Sequence, residues 1–368
     1  MIPVSEKFST MRRDLASALI ERDQEIDLVL TALIAREHVL LVGPPGTAKS
    51  MLSDAIVRWL DGTRFQILLT KFTTPEEVFG PISLAGLKTD HYRRITTSRL
   101  PEAHIGFVDE IFKASSAILN TFLTVMEERA FDNDGTRVAC PLQELIGASN
   151  EWPGGNGDGG KELGALFDRF LLRKHVHPIA TERGLQRLLW APVEITLSGT
   201  ITPAEITQAQ DQARALPWTD KAREAFLSIL REAKNEGIIP GDRRMQKAVS
   251  VARAFAWLND HDEVQTDDLE ILAHVLWDDP AEQPQKLAKI VGKIANPEGM
   301  KINSLLMEAE QIISSTDLKD LSETATACKK LGEVHTQLKS ITSARATMAA
   351  EHVAAEVKRI RLATVEAL

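Results

Sequence analysis

The chain has 368 residues, enough for two or three domains each with its own core. With 43% hydrophobic and 26% charged residues it has the make-up of an ordinary globular protein, and a net charge of −9 argues against a protein that coats DNA or RNA. Its two cysteines, Cys140 and Cys328, form no CxxC and no Cys/His cluster, which excludes a zinc site of the usual kind and fits a reducing compartment.

Met1 to Thr10 lacks the apolar core of a signal peptide, and no apolar run reaches the roughly 18 residues of a membrane span. The expectation is a cytoplasmic protein that does not span a membrane. Met11, Leu15 and Leu19, then Ile26, Val29, Leu30 and Leu33, have helical spacing, and the break at Glu21-Arg22-Asp23-Gln24 divides them into two helices. In a nucleotide-binding domain, Ile26 is placed to touch a base; a helix packing its apolar face on the core explains it equally well.

Val39 to Val42 reads as a buried parallel strand. It runs into Gly43-Pro44-Pro45-Gly46-Thr47-Ala48-Lys49-Ser50, and Met51 to Leu60 is helical. Strand, Gly/Pro loop and helix opening with Lys-Ser form the pattern of a phosphate-binding loop. Loop amides and a helix N-terminus present aligned donors to an anionic triphosphate. Lys49 reaches the β and γ phosphates, and the Ser50 hydroxyl suits Mg²⁺. The expected nucleotide contacts are residues 43–51, from Gly43 through Met51, with ATP and Mg²⁺ as the implied cofactors. Ala48 stands where a second glycine is usual, and alanine tolerates a helix-opening conformation there. A plain Gly-Pro turn is the bland alternative.

Arg64 to Thr70 is the next strand, and Thr74-Pro75 caps a short helix. Residues 82–100 read as an inserted hairpin projecting from the core or as a plain surface loop. The strand His104 to Val108 ends in Asp109-Glu110, two carboxylates at the carboxyl end of a parallel strand. Asp109 suits the Mg²⁺ shell and Glu110 the deprotonation of an attacking water. Ser115 to Arg129 is a helix, and residues 131–141 form a hairpin around Asn133-Asp134-Gly135-Thr136. Gln143 to Asn150 is a further strand, ending in an amide able to meet a γ-phosphate or the water. Trp152 to Gly160 reads as a mobile loop. Beyond Thr202 the pattern is all-helical, with caps at Thr202, Thr219, Gly241 and Thr266. Leu331, Val334, Leu338, Ile341 and Met348, then Val353, Val357 and Ile360, predict long amphipathic helices, as a hairpin, a coiled coil or a layer on the preceding helices.

These motifs together resemble the MoxR branch of the AAA+ ATPases, and within it the RavA-like group. The resemblance spans roughly Ile20 to Trp277 and rests on the 43–50 loop, Phe72-Thr73-Thr74-Pro75-Glu76-Glu77-Val78-Phe79-Gly80-Pro81, Leu100-Pro101-Glu102-Ala103, Val108 to Ala114, Ala117 to Leu123 and Ala148-Ser149-Asn150-Glu151. It implies an α/β AAA+ core over residues 1–181 with a parallel sheet, a small all-α lid over 182–279 and a helical region over 280–368. Segments 82–100 and 131–141 correspond to the helix-2 insert and the pre-sensor hairpin. Asn150 takes the place of sensor 1, Arg169 that of an arginine finger acting on a neighbouring subunit, and Arg243 that of sensor 2, with Arg244 the alternative. The implied function is an ATP-hydrolysing, hexameric ring that remodels a protein client, often with a von Willebrand factor A (VWA) domain partner. A magnesium-chelatase-like motor and a nucleic-acid-dependent loader are the rivals.

Overall fold

The computed structural model of the chain describes residues 2–153, 160–191, 194–316, 321–342 and 344–366. Two helices come first, α1 (Val4–Ala18) and α2 (Asp23–Ala35), and the break between them holds a left-handed Glu21. The strand β1 (Val39–Val42), a run of buried apolar residues, leads through the Gly/Pro loop into α3 (Lys49–Trp59). Next come β2 (Arg64–Leu68), the short helices α4 (Pro75–Phe79) and α5 (Leu84–Leu87), β3 (Ile105–Asp109) and α6 (Ser116–Glu128). The antiparallel pair β4 (Ala130–Asn133) and β5 (Thr136–Ala139) precedes β6 (Glu144–Ser149), α7 (Gly160–Arg169) and β7 (Leu172–His175).

Five of these strands form a parallel sheet in the order β2-β3-β6-β1-β7. Val39 stands opposite Ile146 on one side and Leu172 on the other, and Leu68 stands opposite Asp109. The carboxyl ends of the strands are therefore brought level. The chain leaves β1 for the far β2 but leaves β6 for β7 on the other flank, so the connections diverge around the β6–β1 pair. That divergence opens a crevice at the carboxyl ends, the usual ligand position in such sheets.

Local chemistry explains the caps. Thr74 and Glu77 bond each other's main chain at the start of α4 in a capping box, and Thr202 and Glu205 do the same farther on. Asp134 and Gly135 both have positive φ, the backbone of a primed hairpin turn. The 82–100 segment keeps only the base of the expected hairpin. Ile82 and Arg94 form an isolated bridge, Ser83 accepts from the Gly86 N–H to start α5, and the Tyr92 and Arg94 N–H groups donate to Asp134 and Asn133. The arms pair only at their base, where the Ser83 N–H donates to Arg93 O and the Ile95 N–H to Pro81 O, both at 2.8 Å, and farther out the donors go to the β4–β5 turn.

The helices that follow are α8 (Glu182–Trp190), α9 (Pro203–Ala215), α10 (Asp220–Asn235) and α11 (Asp242–Leu258). Where a further α-helix was expected after Thr266, Asp267–His274 is a 3-10 run, its buried Asp268 drawn back to the Gln265 N–H and to His261. Both α9 and α11 pack on α2, and Phe8 of α1 stands edge-on to Trp59 and Trp257. The last helices are α12 (Gln283–Ala295), α13 (Pro297–Ser315), α14 (Leu321–Lys339) and α15 (Ala344–Glu366).

The chain divides into two compact units, Met1–Ala288 and Lys289–Leu368. In the second, Ile302 and Leu305 of α13 share a core with Leu331, Val334 and Leu338 of α14 and Val353 and Ile360 of α15. Three helices, rather than a two-helix hairpin, build that core. Met348, expected on the apolar stripe, is 64% exposed, while Ala346, Ala349 and Ala350 face inward. The spacing that predicted it crosses the break between α14 and α15, where the helical phase restarts. Among the described residues no helix is long and apolar enough to cross a membrane.

Candidate functional site

The loop after β1 turns tightly against β7. The Gly43 N–H donates to Ser149 O at 3.0 Å and the Val176 N–H to Val42 O at 2.7 Å, so a side chain at Gly43 would meet the Val176 carbonyl. Gly46 has φ +80 and Ala48 φ +65. Ala48 is thus left-handed, not helical as expected, and holds the conformation a glycine would take most easily. Lys49 is buried and its ammonium donates to the Gly43 and Pro44 carbonyls at 2.7 and 2.9 Å. Burial holds its pKa below the usual lysine range, against the opposing pull of Asp109 and Glu110.

Across the crevice, the Ser50 hydroxyl and an Asp109 carboxylate oxygen lie 3.4 Å apart, and the other Asp109 oxygen accepts from the Glu110 N–H at 2.9 Å. Glu110 is a second left-handed residue, at φ 53. Its carboxylate accepts from the Asn150 amide and lies 3.3 Å from the Lys113 ammonium. Five residues predicted from three separate strand ends, Lys49, Ser50, Asp109, Glu110 and Asn150, therefore meet at one place. Two non-glycine residues held at positive φ beside it are the kind of local strain that working sites retain. A cation beside loop amides, hard oxygens and a carboxylate braced by an amide can together bind a polyphosphate and activate a water.

Beside the loop lies a cavity of about 440 Å³ lined by Leu19, Ile20, Arg22, Pro44 to Ala48, Met51, Pro178, Ile179, Leu185 and Leu188. Its mostly apolar wall suits a planar base. Ile26 is not part of that wall: it is 0% exposed on the core side of α2. Leu19 and Ile20, in the turn just before α2, line it instead.

The predicted arginines lie at the other end of the sheet. Arg244 is buried and donates to the Leu171 and Val275 carbonyls and to Asp168 at 2.7 Å. Leu171 precedes β7, and the neighbouring Lys247 pairs with Glu37, just before β1, so this face belongs to the amino ends of the strands. Burial pushes the Asp168 carboxyl up, but the Arg244 hydrogen bond and charge outweigh it and leave its pKa lowered. Arg169 lies 3.2 Å from Glu127, and Arg243 contacts the same Glu127 carboxylate. Neither lines the cavity by the loop.

Sequence reading passed over several of these residues. Arg22 is almost fully buried behind the loop, Glu127 gathers two arginines, and Leu185 and Leu188 line the cavity from α8. Only the last pair carried a local signal, an i, i+3 apolar spacing. Of the predicted mobile loop at 152–160, residues 154–159 lie outside the described residues.

A family profile described as the MoxR domain in the MoxR-vWA-beta-propeller ternary systems matches residues 6–214, and an AAA lid domain profile matches residues 224–291. An uncharacterised protein of Methanocaldococcus jannaschii is 35% identical over 364 residues, 98% of this chain and 91% of that relative. The protein named chaperone MoxR1 of Mycobacterium tuberculosis is 29% identical over 136 residues, 36% of this chain and 34% of that one. The crystal structure of a candidate ATPase from Cytophaga hutchinsonii superposes with a TM-score of 0.62 at 15% identity, covering 79% of this chain and 95% of that one, a likeness of fold.

Proposed function

The chain belongs to the MoxR family of AAA+ ATPases, and from that premise we propose that it is an ATP-hydrolysing ring motor that remodels or matures a protein client. The observation that carries the reading is the meeting of Lys49, Ser50, Asp109, Glu110 and Asn150 at the carboxyl ends of β1, β3 and β6. Lys49 and the N–H groups of residues 46–50 hold the phosphates, and the cavity between the loop and α8 takes the base. Ser50 and Asp109 fit Mg²⁺, being hard oxygen donors 3.4 Å apart with no softer ligand between them. When bound, the ion neutralises charge on the transferring phosphoryl group. Glu110 takes the proton of the attacking water, and Asn150 fixes the carboxylate that does so.

Arg169 and Arg243 stand at the opposite end of the sheet from the phosphate loop, too remote in topology to serve their own subunit's nucleotide. We assign both to the nucleotide of a neighbour, Arg169 as the finger and Arg243 as the lid arginine. Arg243 is half exposed and able to reach outward, whereas Arg244 is committed to main-chain carbonyls and Asp168. Sites shared head-to-tail between neighbours complete every site only when the assembly closes into a ring, which we take to be a hexamer. The family description couples this domain with vWA and β-propeller proteins, and one relative is named a chaperone; both support a VWA-domain partner and a chaperone-like role.

Within the family we place the chain in the RavA-like group, with core, lid and C-terminal region at 1–181, 182–279 and 280–368. Cys140 and Cys328 are both free thiols, in keeping with a cytoplasmic setting.

The test is ATPase rate against protein concentration, for wild type and for an equal mixture with Arg169→Ala. A rate per subunit that rises with concentration, and inhibition by the variant beyond simple dilution, are expected. A flat rate per subunit would leave a monomeric ATPase and remove the ring.

A further inference from the structure

We propose that Arg22 is a positioning residue of the nucleotide site, a buried guanidinium that fixes the phosphate loop through the Thr47 carbonyl and adds the positive charge that favours a polyphosphate over a bare nucleoside. The inference rests on the nucleotide-binding reading above and extends it to a residue outside the loop.

Arg22 sits between α1 and α2, directly behind the loop, and is only 6% exposed. Its Nε donates to Thr47 O at 3.0 Å, Nη2 to His177 O at 2.8 Å and Nη1 to Glu21 O at 2.6 Å. All three acceptors are neutral main-chain carbonyls. The carboxylate next to it in sequence, Glu21, accepts from the Ala180 and Thr181 N–H groups and the Thr181 hydroxyl and meets Arg22 only through its charge. Among the described residues no carboxylate lies within ion-pair distance of Arg22. Holding a buried cation with no hydrogen-bonded counter-charge is unfavourable, so a fold that keeps one gains when an anion arrives nearby.

The anion's place is given by what else lines the same cavity: Pro44, Pro45, Gly46, Thr47 and Ala48. Thr47 lies between the two positive-φ residues of the loop, Gly46 and Ala48. Because a trans peptide points its N–H opposite to its C=O, tying the Thr47 carbonyl to Arg22 turns the Ala48 N–H to the other side. The His177 bond meanwhile ties the loop to the chain after β7, where Pro178 and Ile179 begin the base-side wall. Arg22 also acts on Lys49: after burial, its charge is one of those that lower the lysine's pKa. Both charges therefore act on one site, Lys49 from within the loop and Arg22 from behind it.

A staple that merely holds the fold would affect every ligand of the cavity alike. A charge would be felt in proportion to the ligand's phosphates. The experiment measures binding of ATP, ADP and adenosine by displacement of a fluorescent ADP analogue, for wild type, Arg22→Gln and Arg22→Lys. Expected for Arg22→Gln is a loss of about tenfold for ADP and more for ATP, with adenosine unchanged, the scale of one charge acting across a partly buried site. Arg22→Lys, which keeps the charge without the planar fork, is expected to stay within about threefold of wild type for ADP. Equal ADP affinity in wild type and Arg22→Gln, or an equal loss for adenosine and ATP, would overturn the proposal. Should Arg22→Gln not fold, Arg22→Lys decides alone: losses for ADP and adenosine in step would overturn it, and a retained preference for ADP would sustain it. A wild type that binds none of the three would instead overturn the nucleotide-binding reading itself.

Discussion

Gly43→Ala is the sharpest test of how the phosphate loop is held. A Cβ added at Gly43 would lie 2.2 Å from the Val176 carbonyl oxygen and 3.2 Å from its carbon. Ordinary contact begins near 3.4 Å, so the loop and the end of β7 must separate by roughly 1 Å. Neither is free to move: Val176 N–H donates to Val42 O at 2.7 Å, and Gly43 N–H to Ser149 O at 3.0 Å. Overpacking of this kind costs about 1–3 kcal/mol, and loss of one of those main-chain bonds costs about 1 kcal/mol more. At about 2–4 °C per kcal/mol for a domain of this size, the first unfolding transition should fall by roughly 4–16 °C, and ADP should no longer raise it. Gly46→Ala is the control. Nothing lies within 4 Å of its added Cβ, so only the φ of +80 opposes it, at about 1–2 kcal/mol. Differential scanning fluorimetry with and without ADP reads both variants. A Gly43→Ala protein melting within about 2 °C of wild type, or a Gly46→Ala protein melting lower than it, would refute the close-approach argument.

Glu110→Gln should keep nucleotide binding while hydrolysis falls by about 10²–10⁴-fold, the usual share of a general base; normal turnover would remove Glu110 from that role. Lys49→Ala should abolish measurable ADP binding without lowering the melting temperature, because its ammonium bonds only carbonyl and hydroxyl oxygens of its own loop. His274 gives a pH dependence. Burial, with Lys174 adding to it, pushes its pKa down to about 3 from an unfolded value of 6.5. The unfolded chain therefore binds the extra proton first, and the stability of the fold declines as pH drops through 6.5 toward 3. His274→Gln should flatten part of that slope in urea unfolding at pH 7 and pH 5; an unchanged slope would mean the imidazole is solvated in the fold.

What could be read from sequence was what is local. The strand–loop–helix at residues 39–60, the Asp109-Glu110 strand end, the Asn150 strand end and the caps at Thr74 and Thr202 depend on neighbours along the chain, and each lies where its pattern placed it. What was missed depends on partners far apart in sequence. Ile26 and Ile20 are both apolar residues near the start of α2, and only the packing of α9 and α11 onto that helix decides that Ile26 faces the core while Ile20 faces the cavity. Ala48 is left-handed because the bonds of its neighbours over-determine the loop, which no propensity for alanine foretells. The 82–100 insert has alternating polarity, as a hairpin would, and its arms pair at the base, but the Arg94 and Tyr92 N–H groups are claimed by Asn133 and Asp134 some forty residues on.

The convergence of Arg169 and Arg243 on Glu127 gives α6 a particular place in the proposed ring. The helix starts just beyond Glu110 and ends at Glu128, so one rod of about 20 Å joins the base of a subunit's own site to the acid that gathers the arginines meant for its neighbour. All three side chains are partly exposed, and such ion pairs contribute no more than about 1 kcal/mol each. A polyphosphate offers the same guanidinium groups more charge and better bidentate geometry than one carboxylate does. A neighbour's nucleotide would therefore draw the arginines off Glu127 at small cost and leave the end of α6 with an uncompensated carboxylate. Since the other end of the same helix leads back to Glu110, α6 is the element whose position both sites would bias. Coupling between subunits then requires no contact between the two nucleotides.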